Sequence, residues 1–225
     1  MTFSISGRCP LSGEFGIAVS SSSPAVAARC AHARAGVGVV GAQNITDPRL
    51  GQQGLALLAE GLAAEAALAR LVAGTPHSAY RQLVVLGREA PAAVFHGAGT
   101  LGIHGHALGQ DCAAAGNMLA NAGVPAAMVG AFEAATGEPL AERLLAAMQA
   151  GLAAGGEAGP VHSAGLVVVR DQPWPLADLR VDWTEGDPIA ELAALWALWQ
   201  PQQEAYVGRA LNPGAAPSFG VAGNP

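Results

Sequence analysis

A strand is written into this chain from its second residue. Behind Met1, Phe3 and Ile5 alternate with Thr2, Ser4 and Ser6, the period of two that sends successive side chains to opposite faces of a sheet. After the turn cluster RCPLSGE the alternation resumes, with Phe15, Ile17 and Val19 set against Gly16, Ala18 and Ser20. Together they predict a β-hairpin. A turn centred near Leu11 places Thr2 about opposite Ser20, with both on the small-residue face. Sheets packed face to face need inner faces of modest side chains, and a face of Thr, Ser, Gly and Ala suits that position. Chain ends usually fray unless something ties them down, so an ordered Thr2 invites a functional question.

Downstream, residues 36–43 (GVGVVGAQ) predict a third strand, and Leu55, Leu58, Leu62, Ala66, Ala69 and Val72 recur at helical spacing from about Gly54 to Val72. RQLVVLG and PAAVFHG read as another strand pair. Pro125 opens a helix carrying Met128, Val129 and Phe132, and Leu140, Leu144, Met148 and Leu152 line a second. SAGLVVVRD is near-continuously apolar, the pattern of a strand buried on both faces. Asp187 caps a helix with Pro188 at its first position and Ile189, Leu192, Trp196 and Trp199 in its stripe. Hairpins and helices fall in blocks, so the fold class is α+β, two mainly antiparallel sheets covered by helices. Residues 1–200 are expected as a single domain. Residues 201–225 turn to Gly, Pro and Ala without periodicity and are expected as a tail docked on the body or on a partner subunit.

Composition narrows the function. The chain of 225 residues is 51% hydrophobic and can bury one substantial core. Only 12% of residues are charged, the net charge is −6 and there is no basic run, which argues against nucleic acid and anionic membranes as partners. Three scattered cysteines suggest neither a disulfide framework nor a zinc site, so a reducing, cytoplasmic setting is expected. There is no basic stretch followed by an apolar one of leader type and no apolar run of spanning length, so neither secretion nor membrane spanning is expected. All 11 basic residues are Arg. Without lysine, Schiff-base chemistry, a Walker lysine and a lysine general base are excluded. A small-molecule substrate and no cofactor are expected, and the Trp-bearing last helix with the tail offers material for a homo-oligomer.

Several constellations compete for the chemistry. Gly36, Gly38 and Gly41 spell the dinucleotide fingerprint, but they lie within a strand rather than between a strand and a helix. A Gly-rich strand closely approached by other backbone is the better reading. His104 and His106, with His96 nearby and Asp111 or Cys112 as a third ligand, offer a metal site on one strand face. His162 and Ser163 lack a nucleophile elbow. The serine run Ser20 to Ser23 is either a polar turn or a set of hydroxyls beside Thr2. Asn117 in GNML is a packing-fixed turn residue or an oxyanion donor. Thr2 is the sharpest candidate. Removal of Met1 would make it the terminus, and its α-amine, with an ordinary pKa of about 8, could serve as its own base.

Taken together, MTFSISGRCPLSGEFGIAVSS, ARAGVGVVGAQ, GQQGLALLAEGLAAEAAL, RQLVVL, AAGNMLA, LAERLLAAMQAGLAAGG, HSAGLVVVR, DLRVDW and the ending YVGRALNPGAAPSFGV resemble the bacterial family of domains of unknown function numbered 1028. That family is grouped with the N-terminal-nucleophile (Ntn) hydrolases. The resemblance implies a four-layer αββα sandwich and a nucleophile at Thr2. An amidohydrolase acting on a small amide, imide or acylated amine follows, with Gln43, Asn44 or Asn117 stabilising the oxyanion and Ser20 among the orienting groups. Two departures stand out. Thr-type enzymes of this kind use a lysine that is missing here, and the segment GGEAGPVHSAG carries Glu157, Gly159 and His162 where relatives usually carry basic residues. The alternatives are a non-catalytic binding or assembly member of the fold and a His-based metallohydrolase.

Overall fold

The computed structural model describes residues 1–89 and 91–221. Its first hairpin joins β1 (Thr2–Cys9) to β2 (Glu14–Ser21), and a single helical turn, α1 (Ala27–Cys30), leads into β3 (Ala31–Arg34) and β4 (Gly38–Asn44). The apolar run expected as one helix is two, α2 (Arg49–Ala59) and α3 (Ala64–Ala73). They part at Gly61, whose φ of +92° suits glycine and few other residues. The expected strand pair follows as β5 (Arg81–Gly87) and β6 (Ala93–His96), then β7 (Gly105–Leu108) and β8 (Cys112–Asn117). Two helices, α4 (Val124–Ala134) and α5 (Leu140–Ala153), precede β9 (Ser163–Val169), β10 (Ala177–Val181) and α6 (Pro188–Trp199). The Asp187 carboxylate accepts from the Ile189 and Ala190 N–H groups at 2.9 and 3.1 Å, which is the cap read from the sequence.

Past Pro201 the chain forms α7 (Gln203–Leu211). Its Glu204 pairs with Arg170 at 2.6 Å and its Tyr206 stacks on Trp199 at 5.0 Å. Residues 222–225 of the expected tail lie outside the described residues. Among the described residues no helix is long and apolar enough to cross a membrane.

The fold is mixed α+β with two antiparallel sheets. Six strands run in the order β10-β9-β2-β1-β8-β7 and four in the order β3-β4-β5-β6. Alternation divides each sheet. Phe3 and Ile5 of β1 join Phe132, Leu144 and Met148 of α4 and α5 in one buried cluster. Val40 and Leu83 of the smaller sheet join Leu55 and Leu68 of α2 and α3 in another. A third cluster takes Ile17 and Val167 from the larger sheet and Val39, Val84 and Leu86 from the smaller, so the sheets pack on each other. β8 contributes only Ala113 and Ala115 to that cluster.

The register of the first hairpin corrects the expectation for Ser20. Cys9 pairs with Glu14 and Phe3 with Ser20, so the turn centres between Leu11 and Ser12 and the next step of the ladder sets Ser21 opposite Thr2. Partners across an antiparallel ladder share a face. Ser20 therefore lies with Phe3 on the helix-facing side, while Thr2 and Ser21 lie on the other.

Of the glycines of the G-x-G-x-x-G pattern, Gly38 and Gly41 are strand glycines of β4, whereas Gly36, expected in the same strand, lies in the turn between β3 and β4 at a φ of +67°. A Cβ on Gly38 would stand 2.3 Å from the Leu86 carbonyl oxygen, at a φ of +151°, whereas one on Gly41 would meet only side chains at 3.4 Å and beyond. Gly38→Ala should therefore cost about 2 kcal/mol or more, and Gly41→Ala less than about 1 kcal/mol. Urea unfolding of the two variants measures the difference.

Candidate functional site

Between the sheets, at the end where β1 starts and β8 ends, runs a line of buried polar side chains. The Ser4 hydroxyl donates to Gln43 Oε1 at 2.8 Å. Gln43 Nε2 donates to Gln82 Oε1 at 2.7 Å and to the Ala115 carbonyl at 3.2 Å. Asn117 Nδ2 donates to the same Gln82 Oε1 at 2.9 Å. Gln82 Nε2 in turn donates to the Gly116 carbonyl and to His96 Nδ1, both at 2.8 Å. All four hydrogen-bonding positions of the Gln82 amide are therefore filled. Because His96 Nδ1 accepts, its Nε2 carries the proton and donates to His106 Nδ1 at 2.9 Å. Burial, followed by the neighbouring His106 and His104, pushes the His96 pKa down to about 4, so this imidazole is neutral at neutral pH.

Thr2 opens this line. It is buried on β1 and pairs across the ladder with Asn117 of β8. Asn117 is fully buried, and among the described residues its Oδ1 has no hydrogen-bond partner. The Thr2 and Ser21 hydroxyls both donate to the Met1 carbonyl oxygen. Ser21 is also 2.9 Å from the Ser23 hydroxyl, which Arg29 Nη2 approaches at 3.0 Å. The Ser22 N–H donates to both carboxylate oxygens of Glu157 at 3.2 Å. Glu157 is 4% exposed. Burial pushes its pKa up to about 7, against the pull of the N-terminal ammonium, the Ser22 hydrogen bonds and His162.

The predicted residues separate into two groups. Thr2, Gln43 and Asn117 meet on the inner face. Ser20 faces away and donates to the Ser163 carbonyl at 2.9 Å. Asn44, on the opposite side of β4 from Gln43, donates to the Tyr80 carbonyl at 2.7 Å and accepts from the Leu101 N–H at 3.2 Å, which fastens a loop. The donors of Gln43 are both engaged within the line described above. The pair His162 and Ser163 forms no relay: His162 Nδ1 sits 2.8 Å from the Thr184 carbonyl, and Ser163 donates to the Ser23 carbonyl at 2.6 Å.

The histidines form a stack rather than a chelate. The His96 ring centre lies 5.4 Å from that of His104 and 5.1 Å from that of His106. Asp111 is paired with Arg8 at 2.9 Å, and burial drives the Cys112 thiol up to about 12. Among the described residues no group of three or more His, Cys, Asp and Glu side chains is placed to hold a metal ion.

Residues 2–192 match the family described as a family of unknown function, DUF1028. The chain belongs to that family. Protein SPO2555 from Silicibacter pomeroyi, a DUF1028 protein with a crystal structure, is 30% identical, with a TM-score of 0.81 over 88% of this chain and 85% of its own. Anbu (ancestral β-subunit) from Yersinia bercovieri is 12% identical, with a TM-score of 0.40 over 91% of this chain and 97% of its own. No curated protein matches the sequence.

In this DUF1028 chain, two residues at the centre of the site escaped sequence reasoning. Gln82 is the one polar side chain within the apolar run QLVVL, and a polar residue at a core position is a signal in its own right. Ser21 was visible only as part of the serine run. Two outcomes test their weight. Gln82→Leu strands the donors of Gln43 and Asn117 and the Gly116 carbonyl, and should lower unfolding free energy by about 3 kcal/mol or more, read by urea denaturation. Glu157 holds a proton in the folded chain that the unfolded chain releases above about 4.5. Its contribution to stability is therefore complete below that pH and is lost as pH rises toward about 7. Glu157→Gln should abolish this downward slope, seen by comparing wild-type and variant unfolding at several pH values across that range.

Proposed function

We propose that this DUF1028 chain is an Ntn-type amidohydrolase, its two sheets lying between helix layers as a four-layer αββα sandwich. It cleaves a small amide, imide or acylated amine with Thr2 as nucleophile, once Met1 is removed. One observation carries the reading: the Thr2 hydroxyl is buried at the start of a central strand, beside a carbonyl group to which a second hydroxyl, that of Ser21, also donates. Two hydroxyl donors converging on one carbonyl oxygen are what a site for a developing oxyanion supplies, and one of the two belongs to the residue proposed as nucleophile.

In the mature chain the Thr2 Oγ attacks the substrate carbonyl carbon while its proton passes to the α-amine. Ser21 donates to the developing oxyanion, and the remaining N–H of Asn117, the ladder partner of Thr2, is the second donor. The α-amine then gives the proton to the leaving nitrogen as the C–N bond breaks, which leaves an ester on Thr2. Water, deprotonated by the same amine, hydrolyses that ester. A strand-anchored nucleophile holds the near-attack geometry without a lysine.

Protein made in a cytosolic bacterial host should lack Met1 by intact mass. On a panel of small amides and imides, Thr2→Ala should lose nearly all turnover and Thr2→Ser should keep a measurable fraction. The wild-type rate should rise through one ionisation near or below about pH 8, since the amine must be neutral to accept a proton. Full activity in Thr2→Ala, or in protein that retains Met1, overturns the reading.

A further inference from the structure

Met1 occupies the space beside the Thr2 hydroxyl, and each of its three groups has a neighbour. Its carbonyl oxygen accepts from Thr2 and Ser21. Its side chain lies against Gly159, where a Cβ would stand 3.7 Å from Met1 Cε. Its ammonium is within electrostatic reach of Glu157, the buried carboxylate fixed through both oxygens by the N–H of Ser22, the residue next to Ser21. Glu157 has no part in the proton transfers described above, yet burying a carboxylate is costly unless something compensates it. An acyl group on the Thr2 nitrogen and one on the Thr2 oxygen are attached two carbons apart on the same residue, so they share this neighbourhood. Met1 thus marks out the volume that a substrate acyl group takes once Met1 has gone.

Resting on the amidohydrolase reading, we infer that the acyl part of the substrate is an α-amino acyl group with a free ammonium, held by Glu157 and set against Gly159. The substrate class is an aminoacyl amide rather than an N-blocked one. The carboxylate gives a preference of charge, and Gly159 leaves room for an unbranched side chain of about the length of methionine. Glu157 is therefore a specificity-determining residue of this chain.

The test uses Met1-free wild-type protein, verified by intact mass, and two probes, methioninamide and N-acetylmethioninamide, titrated by calorimetry at neutral pH. The free amine should bind about tenfold or more tightly than the acetylated compound, as one charge-assisted contact implies. Glu157→Gln should bring the two affinities together, and Glu157→Asp, which keeps the charge, should retain the preference. Equal affinities in wild type, tighter binding of the acetylated probe, or no detectable binding of methioninamide overturns the inference. Turnover of the matching p-nitroanilides separates it from the parent reading. A free-amine binding preference with no turnover of either anilide sustains the ammonium site at Glu157 and overturns the hydrolase. Thr2-dependent turnover that favours the acetylated anilide sustains the hydrolase and overturns this inference.

Discussion

Gln82 ties the two sheets together through one saturated amide. It accepts from a residue of its own sheet, Gln43, and from one of the facing sheet, Asn117, and it donates to the facing sheet at Gly116 and to its own at His96. Reversing the amide would set donor against donor and acceptor against acceptor, so one orientation is determined. In a low-dielectric interior each of these bonds is strong, and each lost partner is correspondingly expensive. The relative position of the sheets is thereby fixed at the end where Thr2 lies. Apolar packing at the other end, through Val39, Leu86 and Val169, has no comparable directionality.

This amide line also explains why β8 is built from CAAAGN. A long side chain on Ala115 would separate the sheets and break the bond from Gln43 Nε2 to the Ala115 carbonyl. The small residues of the inner face at this end are therefore a condition for amide contact, and the large apolar residues of β1 and of the Gln43 and Gln82 neighbourhood turn to the helix-facing sides. Phe3 and Ile5 go to α4 and α5, and Val40 and Leu83 go to α2 and α3. A similar closeness appears at Gly38, where the neighbouring strand comes too near for any Cβ.

What could be read from the sequence follows from the same division. Strands that carry large residues on alternate positions, β1 and β2, announce themselves, as do the β-branched apolar run of β5 and the Asp187–Pro188 start of α6. β8 gives no alternation because all its inward and outward positions are small, and β3 is only four residues long. The two-helix break at Gly61 was hidden by apolar spacing that continues across it. Half a residue in the turn centre moved Ser20 to the far face and brought Ser21 to the site, since register inverts faces with each single step. Thr2 and Asn117 were visible as residue types in unusual settings. Gln82 and Glu157 depend on contacts between segments far apart in sequence, 35 residues for Gln82 with Asn117 and 135 for Glu157 with Ser22, so their residue types could be noticed in single segments but their partners could not.

The missing lysine changes what the surroundings of Thr2 must do. In the Met1-bearing chain Asn117 Oδ1 is a buried acceptor without a partner among the described residues, a deficit typically of about 1–3 kcal/mol. The Thr2 hydroxyl across the ladder is engaged with the Met1 carbonyl and supplies nothing to it. On the proposed reading, loss of Met1 removes that carbonyl and turns an amide nitrogen into an amine, which adds hydrogen-bond donors beside an acceptor that had none. The amine can then be oriented by Asn117 through its hydrogens while its lone pair faces the hydroxyl. A neutral amide achieves this without raising the amine's pKa as a carboxylate at the same distance would. On the proposed reading Glu157, held by the Ser22 N–H, acts on the substrate's acyl group, while the amine serves as the base.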